Sequence, residues 1–221
     1  MAHNESRRAL ILDFDGVLVD SEPIHQESWR RAFHQLLGVP ADAAPSGEIG
    51  LSLDEIFDRW GAALGVELTA VQKEALLARK TEIFFTLGAD RLRPMQGSMT
   101  LIQRARALGW YVAIVSRARR LRLHGTLAMM QMPAHFDVVL GCEDGVDLLT
   151  DRKDHARAAR IFAIDPADCV VIEDSASGVA DARSAGIGRV IGLTTSLHAN
   201  ALCAAGAHQV VDHLDAVELA P

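Results

Sequence analysis

Short apolar runs alternate with longer amphipathic segments along most of this 221-residue chain. The runs are four or five residues long and rich in valine, isoleucine and leucine, which is typical of strands buried on both faces of a parallel sheet. Helical patterns separate them, and the alternation predicts βαβ units. We therefore expect an α/β fold, a Rossmann-like, doubly wound parallel sheet with helices on both faces. The predicted strands are residues 9–12, 111–115, 137–140, 169–172 and 189–193, and the predicted helices lie near 98–108, 119–131, 154–163 and 176–185.

The stretch from residue 21 to residue 93 breaks this rhythm, because it contains no convincing strand pattern. Thr69 and Gln72 have the spacing of a capping box, in which a threonine begins a helix and a glutamine three residues later bonds back to it. The pattern predicts a helical insertion between the first strand and the rest of the sheet. We therefore expect an α/β core domain of residues 1–20 and 94–221, and a helical cap domain of residues 21–93.

The composition narrows the classes of function. Hydrophobic residues make up 49% of the chain, which is enough for a sizeable core. The net charge of −7 argues against a general nucleic-acid binder. No apolar run approaches the roughly 18 residues of a membrane helix, and no signal peptide is evident. We therefore expect a cytoplasmic protein without nucleic-acid or membrane partners, and a monomer, since no interface motif is evident.

Polar side chains follow several of the predicted strands at the points where those strands end. Asp13 and Asp15 follow the first strand, and residues i and i+2 of an extended chain project to the same side. Burying two carboxylates is costly without a cation or hydrogen bonds, so a solvated acidic turn is the alternative for this pair alone. Ligands bind beyond the carboxyl ends of the strands in open α/β sheets, so we expect the polar groups to converge there. They are Asp13, Asp15, Ser116, Lys153, Glu173 and Asp174.

Together these residue types suit phosphoryl transfer. One carboxylate can act as a nucleophile and form an aspartyl-phosphate, and a second can donate and accept a proton. Further carboxylates supply the oxygen ligands that Mg²⁺ requires. A hydroxyl and an ammonium group bind phosphoryl oxygens. The set therefore predicts chemistry on a phosphorylated small molecule.

Three sequence motifs resemble those of a known family. Residues 13–17 read Asp-Phe-Asp-Gly-Val, residues 115–117 read Val-Ser-Arg, and residues 172–179 read Ile-Glu-Asp-Ser-Ala-Ser-Gly-Val. With these motifs the chain resembles the haloacid dehalogenase superfamily of phosphotransferases, in the subfamily that carries a helical cap after the first strand. Its beta-phosphoglucomutase-like and phosphoglycolate-phosphatase-like groups are the most similar, and the resemblance covers nearly the whole chain.

The resemblance implies a role for each matching residue. Asp13 would be the nucleophile and would also belong to the metal site. Asp15 would be the general acid and base, and its backbone carbonyl would also bind Mg²⁺. Ser116 would hydrogen-bond the phosphoryl group. Asp174 would bind the metal, with Glu173 beside it.

The third motif departs from the family's pattern, which commonly has Lys-Pro followed by an acidic residue. Residues 151–155 read Asp-Arg-Lys-Asp-His, without the proline. We assign the phosphate-binding cation to Lys153, with Arg152 as its competitor. Arg117, in the second motif, lies close enough to the site to meet an anionic substrate. It belongs to a basic cluster after the second motif, whose other members are Arg119, Arg120 and Arg122. Most of this cluster is interpreted as solvated residues near the start of a helix.

Three residues of the helical insertion are candidates for substrate selection. His25 falls at the start of the first cap helix, where relatives often place a histidine near the substrate, and a surface histidine is an equal alternative. Lys80 matches a cap lysine of the mutase group, but a solvated helix face is the favoured interpretation. Leu53 stands where the mutase group carries an arginine that holds the substrate's distal phosphate, and an apolar side chain cannot make that contact.

Leu53 therefore favours a Mg²⁺-dependent phosphatase of a small phosphorylated metabolite, such as a sugar phosphate, over a phosphomutase. A carbon–halogen hydrolase is disfavoured, because a halide leaving group does not need the proton that Asp15 would supply. The remaining alternative is a non-catalytic regulatory or binding protein that has kept the fold. The intact set of candidate residues argues against that alternative.

Overall fold

The structure is a computed structural model, and it shows two compact units. Among the described helices, none is long and apolar enough to cross a membrane. One unit, the α/β unit, comprises Met1–Asp20 and Pro94–Pro221, and the other, the helical unit, comprises Ser21–Arg93. The residues that the structure describes are 7–40, 45, 53–144 and 154–220.

A parallel sheet forms the centre of the α/β unit. Its strands are β1 (Ala9–Leu12), β2 (Tyr111–Val115), β3 (Val138–Leu140), β4 (Cys169–Glu173), β5 (Arg189–Leu193) and β6 (Gln209–Val211). They are arranged in the order β3-β2-β1-β4-β5-β6, and every neighbouring pair is parallel. All four residues of β1 are buried, as expected for an apolar central strand. The predicted Rossmann-like sheet is therefore confirmed.

Five helices of the described residues belong to the same unit. In chain order, after the three helices of the helical unit, they are α4 (Ser98–Ala107), α5 (Arg120–Met129), α6 (His155–Phe162), α7 (Ala176–Ser184) and α8 (Ala199–Ala204). Two of them begin with a side-chain cap. Asp154 Oδ1 accepts from the Arg157 N–H at 2.9 Å, and Ser175 Oγ accepts from the Gly178 N–H at 3.1 Å. These bonds satisfy first-turn N–H groups that have no partner within the helix.

The strand β6 and the helix α8 are absent from the sequence prediction. They contain three and six residues, too few to repeat a hydrophobic pattern. Tertiary contacts hold them in place, since Val210 pairs with Gly192 of β5 and Leu202 of α8 is fully buried. The sheet therefore extends one strand further than the apolar runs indicate.

The helical unit consists of α1 (Glu22–Leu37), α2 (Leu53–Leu64) and α3 (Ala70–Arg91), with no strand among its described residues. The predicted capping box is confirmed. Thr69 Oγ1 accepts from the Gln72 N–H at 3.3 Å, and Gln72 Oε1 accepts from the Thr69 N–H at 2.9 Å. The rings of Phe33 and Trp60 stack 4.0 Å apart inside the unit, which has a hydrophobic cluster of its own.

The order of the strands determines where polar side chains can meet. The strand β1 lies between β2 and β4, where the strand order reverses. Leu12 of β1 pairs with Ile114 on one side and with Ile172 on the other. Residues that follow these three strands therefore emerge together at the carboxyl edge, where open α/β sheets bind their ligands.

Candidate active site

The loop that follows β1 is tightly folded and begins with Asp13. The N–H groups of Leu18 and Val19 both donate to the Phe14 carbonyl oxygen at 2.9 Å, and the Gly16 N–H donates to the Val19 carbonyl oxygen at 2.9 Å. Gly16 has a φ of +74°, a left-handed conformation that favours glycine. This bonding fixes the backbone that carries both carboxylates of the first motif.

Gly16 also allows this loop to lie against the turn after β4. A Cβ atom at this position would stand 1.9 Å from Asp174 Oδ2, so only glycine leaves room for that carboxylate. Thr195 Oγ1 donates to the Gly16 carbonyl oxygen at 2.7 Å, and Ser196 Oγ donates to Asp174 Oδ2. The loops after β1, β4 and β5 therefore meet at one place. The hydroxyl groups of Thr195 and Ser196, in the loop after β5, bond to the loops after β1 and β4 respectively.

Three buried carboxylates gather at this edge. One oxygen from each of Asp13, Glu173 and Asp174 lies within 4.8 Å of the others, and the residues are 6%, 0% and 4% exposed. The backbone explains their proximity, because the Asp13 N–H donates to the Ile172 carbonyl oxygen at 3.1 Å and continues the β1–β4 pairing. Two like charges at about this separation repel by roughly 3–4 kcal/mol at an effective dielectric of about 20. A cation held by all three would offset that repulsion.

This donor set fits Mg²⁺. Carboxylate oxygens are the hard ligands that Mg²⁺ takes, and the ion commonly keeps its remaining positions for water and substrate phosphate. The structure brings Asp13, Glu173 and Asp174 together as one candidate site. The metal contact assigned to Asp15 uses its backbone carbonyl, and that contact stays a prediction.

Glu173 is fixed by packing as well as by hydrogen bonding. Ser175 Oγ donates to Glu173 Oε2 at 3.2 Å. His155 Nε2 lies 3.4 Å from Glu173 Oε1, and neither side chain is exposed. A Cβ atom on Gly178 would stand 2.0 Å from Glu173 Oε2, so the carboxylate occupies the space over the first turn of α7.

Asp15 has a different partner. Arg122 Nη1 donates to Asp15 Oδ1 at 2.8 Å, and Arg122 Nη2 donates to Asp15 Oδ2. The Arg122 side chain is 13% exposed, and its guanidinium carbon lies 5.7 Å from the centre of the Phe14 ring. The interpretation of Arg122 as a solvated residue is therefore wrong, because the arginine packs beside the first motif.

The serine of the second motif follows β2, next to β1. Ser116 is 6% exposed, and its Oγ accepts from the Ala118 N–H at 3.2 Å. A hydroxyl that accepts one bond still has a hydrogen to donate to a ligand. Arg117 is half-buried in the following loop. Lys153 and its competitor Arg152 lie outside the described residues, so their role stays a prediction.

The thiol of β4 does not offer an alternative nucleophile. Burial raises the pKa of Cys169 to about 12, and the charges of Asp168 and Asp165 act in the same direction. A thiol with this pKa is protonated near neutral pH, and the thiolate is the reactive form. Cys169 also begins β4, at the end opposite to the carboxylates.

The helical unit brings two of its three predicted site residues together. Lys80 Nζ lies 2.7 Å from His25 Nδ1, and Lys80 is 6% exposed. The Lys80 charge lies 5.4 Å and 5.1 Å from the ring centres of Trp29 and Phe84, and His25 stacks on Phe84 at 4.6 Å. The favoured interpretation of Lys80 as solvated is therefore wrong. Leu53 begins α2 and is 41% exposed.

Similarity to known proteins agrees with the motifs and the fold. The family model of haloacid dehalogenase-like hydrolases matches residues 7–186. The chain belongs to this family. The phosphorylated carbohydrates phosphatase of Thermotoga maritima is 26% identical to this hydrolase over 210 residues, which cover 92% of the chain and 93% of the relative.

Two further proteins show how far the similarity extends. A CBBY-like protein of Arabidopsis thaliana is 29% identical over 196 residues, which cover 81% of this hydrolase but only 61% of the relative. The crystal structure of a predicted phosphoglycolate phosphatase from Haemophilus somnus matches with a TM-score of 0.81 at 19% identity, and the match covers 96% of both chains. The structural match shows that the Haemophilus somnus protein and this hydrolase share a fold.

Four residues of this hydrolase's site were not assigned a role from the sequence: Arg122, His155, Thr195 and Ser196. Thr195 and Ser196 follow β5, so the rule about strand ends would have found them. His155 is the last residue of the stretch compared with the third motif, and a histidine there gives no local sign that it is buried. Arg122 carried a weak signal, because a cation in the first turn of a helix opposes the helix dipole and needs a compensating partner.

Gly178→Ala tests the packing of Glu173. Alanine is ordinarily the better helix former by about 1 kcal/mol, but here its Cβ would collide with the Glu173 carboxylate. We expect a net loss of about 1–3 kcal/mol, the usual cost of overpacking. That loss corresponds to a melting temperature lower by about 2–4 °C per kcal/mol, measured by circular dichroism.

Ser177→Ala is the matched control, since Ser177 is an exposed residue of the same helical turn. It should leave the melting temperature nearly unchanged. A Gly178→Ala variant that melts at or above the wild-type temperature would contradict the tight packing of Glu173.

Proposed function

We propose that this hydrolase is a Mg²⁺-dependent phosphatase that releases phosphate from a small phosphorylated metabolite, such as a sugar phosphate. The observation that carries the proposal is the buried cluster of Asp13, Glu173 and Asp174 at the ligand-binding edge of the sheet. A nucleophilic carboxylate beside a divalent-cation site suits aspartyl-phosphate chemistry. The name of the Thermotoga maritima relative supports a phosphorylated carbohydrate as the substrate.

The first half of the proposed reaction transfers the phosphoryl group to Asp13. An Asp13 carboxylate oxygen attacks phosphorus, and the bond between phosphorus and the ester oxygen breaks. Asp15, in its acid form, gives its proton to the departing oxygen. The alcohol leaves, and the phosphoryl group stays on Asp13.

The second half restores the enzyme. Water attacks the phosphorus of the aspartyl-phosphate while the Asp15 carboxylate takes a proton from that water. The bond between phosphorus and the Asp13 oxygen breaks, and inorganic phosphate departs. Asp13 is again a carboxylate and Asp15 again an acid, so the cycle balances.

Several groups would bind the phosphoryl oxygens during both steps. The Ser116 hydroxyl stands at the end of β2 and has a hydrogen to donate. Arg117 and Lys153 are the proposed cations. Asp13, Glu173 and Asp174 would hold Mg²⁺, which would supply positive charge to the phosphoryl oxygens and offset the repulsion among the carboxylates.

Hydrolysis is favoured over phosphate migration by the character of Leu53. A mutase has to hold a substrate with two phosphate groups, and a charged side chain is the usual contact for the second one. Leu53 is apolar and 41% exposed. His25 and Lys80, which adjoin each other in the helical unit, are the proposed substrate-selecting polar pair.

Magnesium should stabilise this hydrolase as well as activate it. At about 100 times its dissociation constant, a ligand that binds only the folded state adds about 2.7 kcal/mol of stability. We expect a rise of roughly 5–10 °C in melting temperature over a sample in chelator. Asp174→Asn should lose more of that rise than Glu173→Gln, because Asp174 matches the direct ligand of the family motif.

Asp20→Asn provides the control for this measurement, since Asp20 is an exposed carboxylate of the same unit. It should keep the full rise in melting temperature with Mg²⁺. Equal melting temperatures and equal activity in Mg²⁺ and in chelator would contradict the metal site.

The identity of the product separates a phosphatase from a mutase. Incubated with a sugar monophosphate and Mg²⁺, the wild type should release inorganic phosphate and leave no phosphorylated isomer, as followed by phosphorus NMR. Leu53→Arg should improve binding of a bisphosphorylated sugar by about ten- to a hundredfold, the worth of one well-placed charge-assisted contact. Hydrolysis of the monophosphate should not require this substitution, because the wild type already releases phosphate from that substrate. Interconversion of sugar phosphates by the wild type, with little free phosphate, would favour the mutase.

A further inference from the structure

His155 occupies a place on the buried face of α6 where the other side chains are apolar. The helix buries His155, Ala158, Ala159 and Phe162, which have the spacing of a single helical face. The last three belong to the hydrophobic cluster of the α/β unit, and His155 itself is 0% exposed. A histidine in this row needs a polar neighbour, because burial without a hydrogen bond destabilises the folded protein.

The polar neighbour of His155 is the carboxylate of Glu173. Nε2 lies 3.4 Å from Oε1, just beyond the usual hydrogen-bond length of about 2.7–3.2 Å, and both side chains are fully buried. Among the described residues, neither ring nitrogen of His155 has a hydrogen-bond partner. The last torsion of a glutamate side chain has a broad range of preferred angles, so a small turn of the carboxylate completes the bond. The ring is therefore placed to donate to one oxygen of a carboxylate in the acidic cluster.

Two groups approach the Glu173 carboxylate, one at each oxygen. Ser175 Oγ donates to Oε2 at 3.2 Å, and His155 Nε2 faces Oε1. Donors at both oxygens restrain the rotation of the carboxylate, which a donor at one oxygen does not do. An oxygen that accepts one hydrogen bond keeps a second lone pair for a cation, so this restraint is compatible with metal binding.

We propose that His155 is a positioning residue for the cation site: its Nε2–H donates to Glu173 Oε1, so that the carboxylate faces the cation in one orientation. This inference rests on the cation site of the proposed function. The ring carries a hydrogen on Nε2 in one neutral tautomer and in its charged form, so the role does not depend on its charge. His155 is not one of the three residues whose ligand atoms lie within 4.8 Å of one another, so it acts through Glu173 and not as a ligand.

The experiment measures the Mg²⁺ affinity of the full chain by isothermal titration calorimetry, together with the melting temperature in chelator. His155→Leu keeps a side chain of similar bulk but cannot donate, so it should weaken Mg²⁺ binding by about tenfold or more, the usual cost of losing an outer partner of a metal-binding carboxylate. Its melting temperature in chelator should not fall, because an apolar side chain replaces a buried polar one. His155→Gln, whose amide nitrogen reaches about as far as Nε2, should bind Mg²⁺ within about threefold of the wild type.

Three further variants separate the role from a general effect on stability. Phe162→Leu, at the other end of α6, loses the stacking of Phe162 on Tyr111 at 4.6 Å, so it should melt lower and bind Mg²⁺ as the wild type does. His155→Asn has an amide too short to replace Nε2; it should resemble His155→Leu, and it carries the test if the leucine variant does not fold. In a Glu173→Ala chain, His155→Leu should cause no further loss of affinity, because its effect passes through Glu173.

The outcomes distinguish the positioning role from the cation site itself. Wild-type Mg²⁺ affinity in His155→Leu or His155→Asn would overturn the role, and so would an affinity in His155→Gln as low as in His155→Leu. A loss caused by His155→Leu that persists undiminished in the Glu173→Ala chain would also overturn it. Absence of Mg²⁺ binding by the wild type would instead contradict the cation site of the proposed function, and this inference with it.

Discussion

Repulsion among three buried carboxylates is the constraint on which the rest of this site depends. Asp13, Glu173 and Asp174 lie close together with almost no exposure to water. The backbone imposes this arrangement, because parallel pairing of β1 with β4 brings the ends of both strands to the same edge. A cluster of this kind is stable when a cation compensates its charge, and the same cation would favour a phosphorylated ligand.

Small residues and hydroxyl groups around the cluster serve the same arrangement. Gly16 and Gly178 leave space that the carboxylates of Asp174 and Glu173 occupy. Ser196 donates to Asp174, and Ser175 donates to Glu173. The carboxylates are therefore held before any ligand arrives, which lowers the cost of ordering them when a ligand binds.

Two carboxylates that lie two residues apart on the same loop have different surroundings. Asp13 is buried and joins the acidic cluster, whereas Asp15 is paired with Arg122 and its side chain is 31% exposed. Different environments allow two chemically identical groups to take different roles. In the proposed reaction one attacks phosphorus and the other transfers protons.

Much of this could be predicted from the sequence because its signals are local. The apolar runs locate five of the strands, and the rule that ligands bind at strand ends locates Asp13, Ser116, Glu173 and Asp174. Arg122, His155 and the burial of Lys80 could not be predicted in this way. Their environments depend on residues 18 to 107 positions away, and no local pattern reports such a contact.

The central claim is that phosphate passes through a covalent bond to Asp13. Rapid acid quenching during turnover of a ³²P-labelled sugar phosphate, followed by peptide mapping, tests it most directly. The account predicts label on the peptide that contains Asp13, released by hydroxylamine as expected for an acyl phosphate, and no label in the Asp13→Asn variant. Turnover by the wild type without any labelled protein, or label retained in Asp13→Asn, would contradict it.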